Sequence, residues 1–293
     1  MLKEITVSSE GECLVELRQW FFEAAMNPPG IRAPFSTVGV DESAGPDRAK
    51  VSSHWRENIL AFMIVLSPIG LAMIVMAIGL AAQAAWQVGQ GRAVQLPTPE
   101  NIRLYGLLSY AASSWIAVAL AWFWSRHRDM QQEVFIFRRL TWPTFLAAVA
   151  GSVIVMIGVP LLTHWLTLVT GGRSQDVRID FNDARSVTIV VFLFVVTTPV
   201  CEEVLYRGVL VAWLRRLGWR DLTILGFGSF VFAANHILPL GVVWSVAMVL
   251  LGITTYALRF RYESLSPGWL AHALFNAQLT LSYPLISWLA LTF

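Results

Sequence analysis

An all-α, multi-pass transmembrane bundle of about seven to eight helices is what this sequence predicts, and three observations carry that reading. Hydrophobic residues make up 56% of the 293 and charged residues only 14%, against roughly 25% charged in an average soluble domain. The mean hydropathy is +0.60. Charge is also withheld from long runs: residues 58–91, 104–125, 140–172, 222–258 and 264–293 contain no Asp, Glu, Lys or Arg. About 20 apolar residues are enough to cross a bilayer core as a helix. A net charge of +2 is too mild to point to nucleic acid, so the expected surroundings are the lipid bilayer and no nucleic acid.

The chain divides into a polar head with a linker, residues 1–57, and a membrane domain, residues 58–293. The head holds nine of the nineteen acids and six of the twenty-one basic residues. Within it, Glu12–Met26 reads as a short amphipathic helix with Leu14, Leu17, Phe21 and Phe22 on one side. Asn27-Pro28-Pro29-Gly30 stops it, and the Pro-, Gly- and Ser-rich stretch to Lys50 reads as a linker. The opening residues lack a basic segment followed by an apolar core, so no cleavable signal peptide is expected. Cys13 lies in the head and Cys201 in an apolar segment, which argues against a disulfide and gives Cys201 a small apolar role.

Seven spans follow, at about 58–86, 104–125, 141–169, 186–201, 222–238, 241–258 and 268–293. The fourth is short and is expected to continue through its charged motif to about Leu217, with Gly218 as the helix end. Pro284 is expected to break or kink the last span and release an eighth short helix. Trp86, Trp122, Trp124, Trp142, Trp165, Trp219 and Trp288 fall near predicted ends, as an aromatic belt would. No two glycines are spaced as GxxxG, so that packing motif is absent. With the N-terminus in the cytoplasm, the inside receives 15 basic residues and the outside 5, Arg207 being within a span. The positive-inside rule therefore puts the N-terminus inside, and a bacterial cytoplasmic membrane is the expected location.

Ionisable residues inside spans are costly, by at least about 2.5–3.5 kcal/mol on insertion scales, and point to function. They form a short list: Glu202, Glu203 and Arg207 in the fourth span, His236 after the fifth, His272 in the last with Asn276 one turn on, and His164, beside Trp165 near a span end. His164 reads as an interface residue whose polar tip reaches water. Glu203 and Arg207, at i and i+4, share a helix face and can pair. Glu202 is rotated by about 100°, which leaves it free for chemistry. His272 and Asn276 put an imidazole and an amide on one face, and His236 comes from a different helix.

Such a set can hydrolyse a peptide bond in two ways. With a divalent metal such as zinc, Glu202, His236 and His272 would be the ligands and a water would fill the open position. With no cofactor, Glu202 would be the general base for water, aided by His236, while His272 and Asn276 donate to the developing oxyanion. No HExxH, GxSxG or serine/lysine signature points to another hydrolase class.

The run Glu202-Glu203-Val204-Leu205-Tyr206-Arg207-Gly208 resembles the EExxxR motif of the CAAX-processing and bacteriocin-processing intramembrane proteases, also called the Abi family. Phe232–His236 is similar to that family's FxxxH motif and His272–Asn276 to its HxxxN motif, with Ser266-Pro267-Gly268-Trp269-Leu270-Ala271 as the lead-in. The resemblance covers about residues 140–280; the acidic head is outside the family pattern. It implies an eight-helix-like bundle with a conical intramembrane cavity and cleavage of membrane-anchored proteins or peptides. It also implies Glu202 as catalytic glutamate, His236 as its partner, and His272 and Asn276 as oxyanion or metal-site residues. Glu203 and Arg207 would hold the motif helix. Two other functions compete: a non-enzymatic immunity or scaffold protein of the same fold, and a transporter using Glu202 as a proton relay.

Overall fold

The computed structural model describes residues 55–95, 97–171 and 184–292. The helix expected at Glu12–Met26 and its linker lie outside these residues. The described residues are helical, without a β-strand. α1 is Trp55–Gly89, α2 Pro99–Arg126, α3 the short Gln131–Val134 and α4 Trp142–Thr170. α5 covers residues 184–216, α6 is Asp221–Ala234, α7 Ile237–Tyr262 and α8 Ser266–Thr292. Five of them, α1, α2, α4, α5 and α7, are long and apolar enough to cross a membrane.

Local chemistry explains how these helices start and survive their prolines. Thr98 caps α2 by accepting from the Asn101 N–H, with Pro99 in the first turn, where its missing donor is no loss. Thr141 and Thr144 form a reciprocal capping box for α4. Inside α1, Pro68 leaves the carbonyl of Ile64 without its i+4 donor. The Ser67 hydroxyl donates to that same carbonyl at 2.9 Å, so α1 runs on for 35 residues.

α5 ends at Arg216, and Gly218 takes the left-handed conformation (φ +78°) that closes it, as the sequence predicts. It is not a uniform α-helix. Two wider, π-helical stretches, Phe192–Thr197 and Glu203–Leu210, interrupt it.

Two expectations need correction. The fifth span, predicted over 222–238, is only the 14-residue α6, about 21 Å long and short of a bilayer core of about 30 Å. It stops because Asn235 and His236 leave helical register, and Gly241 (φ 75°, ψ 169°) breaks the chain again inside α7. The break expected at Pro284 is absent, since the backbone is helical throughout α8. The extra short helix is α3 instead.

Without GxxxG, the helices still approach through small residues. A Cβ on Gly252 of α7 would lie 2.9 Å from the Ser229 backbone of α6, and one on Gly228 would run into the Tyr256 ring. These pairs run in opposite chain directions, so α6 and α7 form an antiparallel hairpin. α4 meets α7 in the same way, Gly151 against Thr254 and Gly158 against Leu250. Each glycine faces a larger partner across the interface, so the close packing of membrane helices does not need two glycines on one helix.

One end of the bundle gathers basic loops. Arg215 pairs with Asp221 at 2.9 Å and with Glu263 at 3.0 Å, and Arg259 pairs with Glu263 at 2.7 Å. The loop before α8 docks on the segment after α3: the Leu265 N–H donates to the Ile136 carbonyl, and the Ser266 hydroxyl to that of Arg138 at 2.6 Å. Arg215 thus ties three segments together, more than the topology role its sequence context gives it. His164 is exposed, and Cys201 is buried with a free thiol, the small apolar role read from the sequence.

Candidate active site

The residues singled out in the sequence arrive from three elements. α5 supplies Glu202, Glu203 and Arg207, the turn between α6 and α7 supplies His236, and α8 supplies His272 and Asn276. All but His236 are nearly or fully buried.

Glu203 and Arg207 pair as their spacing predicts, at 3.3 Å with both side chains fully buried. None of the Arg207 nitrogens makes a hydrogen bond among the described residues. The guanidinium is held instead between two aromatic faces, 4.3 Å from the Phe232 ring centroid and 4.7 Å from that of Tyr256. Cation–π attraction is strongest where water is excluded, which is the case here.

Phe232 is the hub of the site. Besides Arg207, its ring meets His236 at 4.6 Å, Tyr206 edge-on at 5.3 Å and His272 edge-on at 5.9 Å. The first residue of the FxxxH pattern therefore organises both histidines.

His272 does more than share a helix face with Asn276. Its Nδ1 is 3.2 Å from Glu203 Oε1 and its Nε2 is 3.6 Å from Glu202 Oε2. The imidazole thus spans both carboxylates, and Glu202 is not isolated from the Glu203–Arg207 pair. His236 donates from Nδ1 to the Phe232 carbonyl at 2.8 Å, since a carbonyl can only accept. That fixes the tautomer and leaves Nε2 as an acceptor.

The wide stretches of α5 are clamped by side chains from elsewhere. Departure from the α ladder changes which carbonyls find a donor. Tyr256 donates to the Tyr206 carbonyl at 2.9 Å and Arg259 Nε to that of Arg207 at 3.2 Å. Asn276 donates from Nδ2 to the Phe194 carbonyl at 2.8 Å. One of the two Asn276 N–H donors is thereby engaged in holding α5. Asn235 donates to the Tyr206 hydroxyl, linking the turn after α6 to α5.

Sequence reasoning missed Tyr110. Its hydroxyl donates to Glu202 Oε1 at 2.8 Å, from α2. A signal was present: Ser114, Ala117 and Ala121 follow it at i+4, i+7 and i+11, all buried. That stripe of small residues lets α2 lie close to a neighbour. A groove of about 440 Å³ lies on the other side of α2, between Val75, Met76 and Gln83 of α1 and Tyr105, Leu108 and Ser109. None of the motif residues lines it.

Among the described residues, no three His, Cys, Asp or Glu side chains are arranged to share a metal ion. In a Glu202, His236 and His272 ligand set, Nδ1 of each histidine is already engaged, and His272 Nε2 sits against a carboxylate.

Residues 184–278 match the family model described as Type II CAAX prenyl endopeptidase Rce1-like. That segment is similar to the CAAX-processing proteases. The match begins with α5 and reaches just past Asn276, so it takes in all three motifs and leaves Tyr110 outside. The family is one of membrane-embedded peptidases. No curated protein and no solved structure gives a match to the chain.

Proposed function

We propose that the chain is an intramembrane endopeptidase that hydrolyses a peptide bond of a membrane-anchored protein or peptide, with Glu202 as general base. The observation that carries this reading is the pose of Glu202. Oε1 is fixed by Tyr110, while the buried Oε2 makes no hydrogen bond among the described residues and faces His272 Nε2 at 3.6 Å. One lobe of the carboxylate is anchored and the other is presented.

Charge balance supports the assignment. Glu202, Glu203 and Arg207 sum to one uncompensated negative charge in a buried site, which is unfavourable. His272, between the two carboxylates, is the group placed to offset it.

In the reaction, Glu202 Oε2 takes a proton from water as the water oxygen bonds to the scissile carbonyl carbon and the carbonyl electrons move onto its oxygen. His236 Nε2 accepts a hydrogen bond from the same water and orients it. The second N–H of Asn276 donates to the oxyanion. The proton on Glu202 then passes to the leaving nitrogen as the C–N bond breaks. His272 moves from oxyanion donor, its role in the sequence reading, to bridge, because both its ring nitrogens already face carboxylates.

The backbone break beside His236 supports access for water. Backbone that leaves helical geometry at membrane depth is tolerated only where protein covers it or a wet cavity lines it. The turn at Asn235 and His236 and the break at Gly241 come after only 14 residues of α6, fewer than the roughly 20 that cross a bilayer core.

The substrate class is a membrane-anchored polypeptide; the matched family's description points to prenylated CAAX tails within that class. The positive-inside rule favours a cytoplasmic side for the basic end. The test compares membrane peptides from cells carrying wild-type or Glu202→Ala protein by mass spectrometry. A new terminus that vanishes in the variant is the expected result. Identical peptide sets at equal protein abundance would overturn the reading in favour of a scaffold of the same fold.

A further inference from the structure

Resting on that reading, we propose that Tyr110 of α2 is a positioning residue for the reaction: its hydroxyl holds one oxygen of Glu202 so that the other is aimed at water. The 2.8 Å bond between Tyr110 and Glu202 Oε1 is charge-assisted, and such bonds are about twice as strong as neutral ones. A carboxylate on a flexible side chain otherwise turns about its terminal torsion, which has broad minima. Fixing one oxygen removes that freedom before substrate arrives.

The surroundings are built for this contact. Ser114, Ala117 and Ala121 are fully buried on the same face of α2 as Tyr110, so the helix comes close enough for a phenol to span the gap. The Ser114 hydroxyl donates to the Tyr110 carbonyl at 2.7 Å. Among the described residues, Glu202 has no other hydrogen-bond donor. Arg207 goes to Glu203, Asn276 to the Phe194 carbonyl, and His272 Nε2 stands 3.6 Å from the opposite oxygen, Oε2. Tyr110 also lies outside the segment that matches the protease family. The motif-bearing helices are therefore completed by a helix that the family pattern does not describe.

Tyr110→Phe keeps the ring and removes the donor. Four full-length proteins are compared: wild type, Glu202→Ala, Tyr110→Phe and Tyr105→Phe, the last being a control one and a half turns away on α2. In membranes, Tyr110→Phe is expected to slow formation of the Glu202-dependent terminus by about tenfold or more. The cleavage position and the protein abundance should stay unchanged, and Tyr105→Phe should match wild type.

A second readout needs no substrate. In purified protein at a single pH, infrared difference spectra identify the Glu202 carboxylate band by its loss in Glu202→Gln. Tyr110→Phe is expected to move that band, because the hydrogen bond to one of its two oxygens is gone. Besides Tyr110, the groups around Glu202 are Cys201 and Tyr206 of α5, His236 of the turn and His272 of α8. They are the same in both proteins, so the difference reports Tyr110. A band that does not move overturns the proposal, whatever the rate does; so does a wild-type rate. If wild type and Glu202→Ala yield the same peptides, the protease reading fails, and the infrared band still decides whether Tyr110 holds the carboxylate.

Discussion

Asn276 of α8 holds the carbonyl of Phe194 on α5 at 2.8 Å, inside the first wide stretch of that helix. Asn276 therefore has a structural duty as well as the chemical one proposed for it. Asn276→Ala leaves the Phe194 carbonyl without this donor, which costs about 1–3 kcal/mol. The expected outcome is a lower unfolding midpoint in detergent together with lost cleavage. An oxyanion donor alone would lose activity at an unchanged midpoint, so the two measurements separate the duties.

Arg207 is expected to be intolerant even of lysine. The planar guanidinium fits between the Phe232 and Tyr256 rings, and an ammonium group on a flexible stem does not reproduce that stacking. Arg207→Ala also leaves Glu203 buried without its cation, at about 3–5 kcal/mol. Size-exclusion chromatography of detergent extracts should show little monodisperse Arg207→Ala protein, with Arg207→Lys intermediate.

A glycine pair gives a sharper test of geometry. A Cβ on Gly268 would come within 2.8 Å of Glu203 Oε2 and 3.4 Å of the Thr255 carbonyl, whereas one on Gly226 meets nothing within 4 Å. Gly268→Ala should displace the Glu203 carboxylate, and through His272 the Glu202 side, lowering the cleavage rate. Gly226→Ala should be neutral, or stabilising by about 0.5–1 kcal/mol from helix propensity. Cleavage rates and unfolding midpoints of the two variants check this.

The helical layout was legible because hydrocarbon excludes charge, so long charge-free runs can only be membrane helices. The Glu203–Arg207 pair was legible from i,i+4 spacing alone. The bridge made by His272 was not, since it depends on how far α8 slides against α5. Nor could spacing reveal the wide stretches of α5, whose carbonyl donors Tyr256, Arg259 and Asn276 come from two other helices. Tyr110 was hidden by its type: a tyrosine on a membrane helix reads first as an interface aromatic. The length of α6 was overread because apolar sequence continues on both sides of Asn235 and His236.

Outside the membrane helices, Glu263 should set an acid limit on stability. Burial works to raise its pKa, but the hydrogen bonds and charges of Arg215 and Arg259 outweigh that and hold it below the usual glutamate value. A depressed folded-state pKa contributes stability that is fully present above the unfolded value, about 4.3. It is lost as pH falls through the folded value. Thermal unfolding of wild type and Glu263→Gln should therefore differ at neutral pH and converge in acid. A gap that persists at the lowest pH would argue against the ion pairs as its source.

The two wide stretches of α5 have a consequence for how this protein tolerates change. Five apolar residues and a threonine, Phe192–Thr197, look interchangeable by chemistry, and most conservative swaps there should pass unnoticed. What they encode is a count. Removing one residue would restore an ordinary helix and turn everything on one side of it by about 100° relative to the other, carrying Phe194 away from Asn276. In this segment the information lies in length rather than in composition, so a single-codon deletion should do what six substitutions do not.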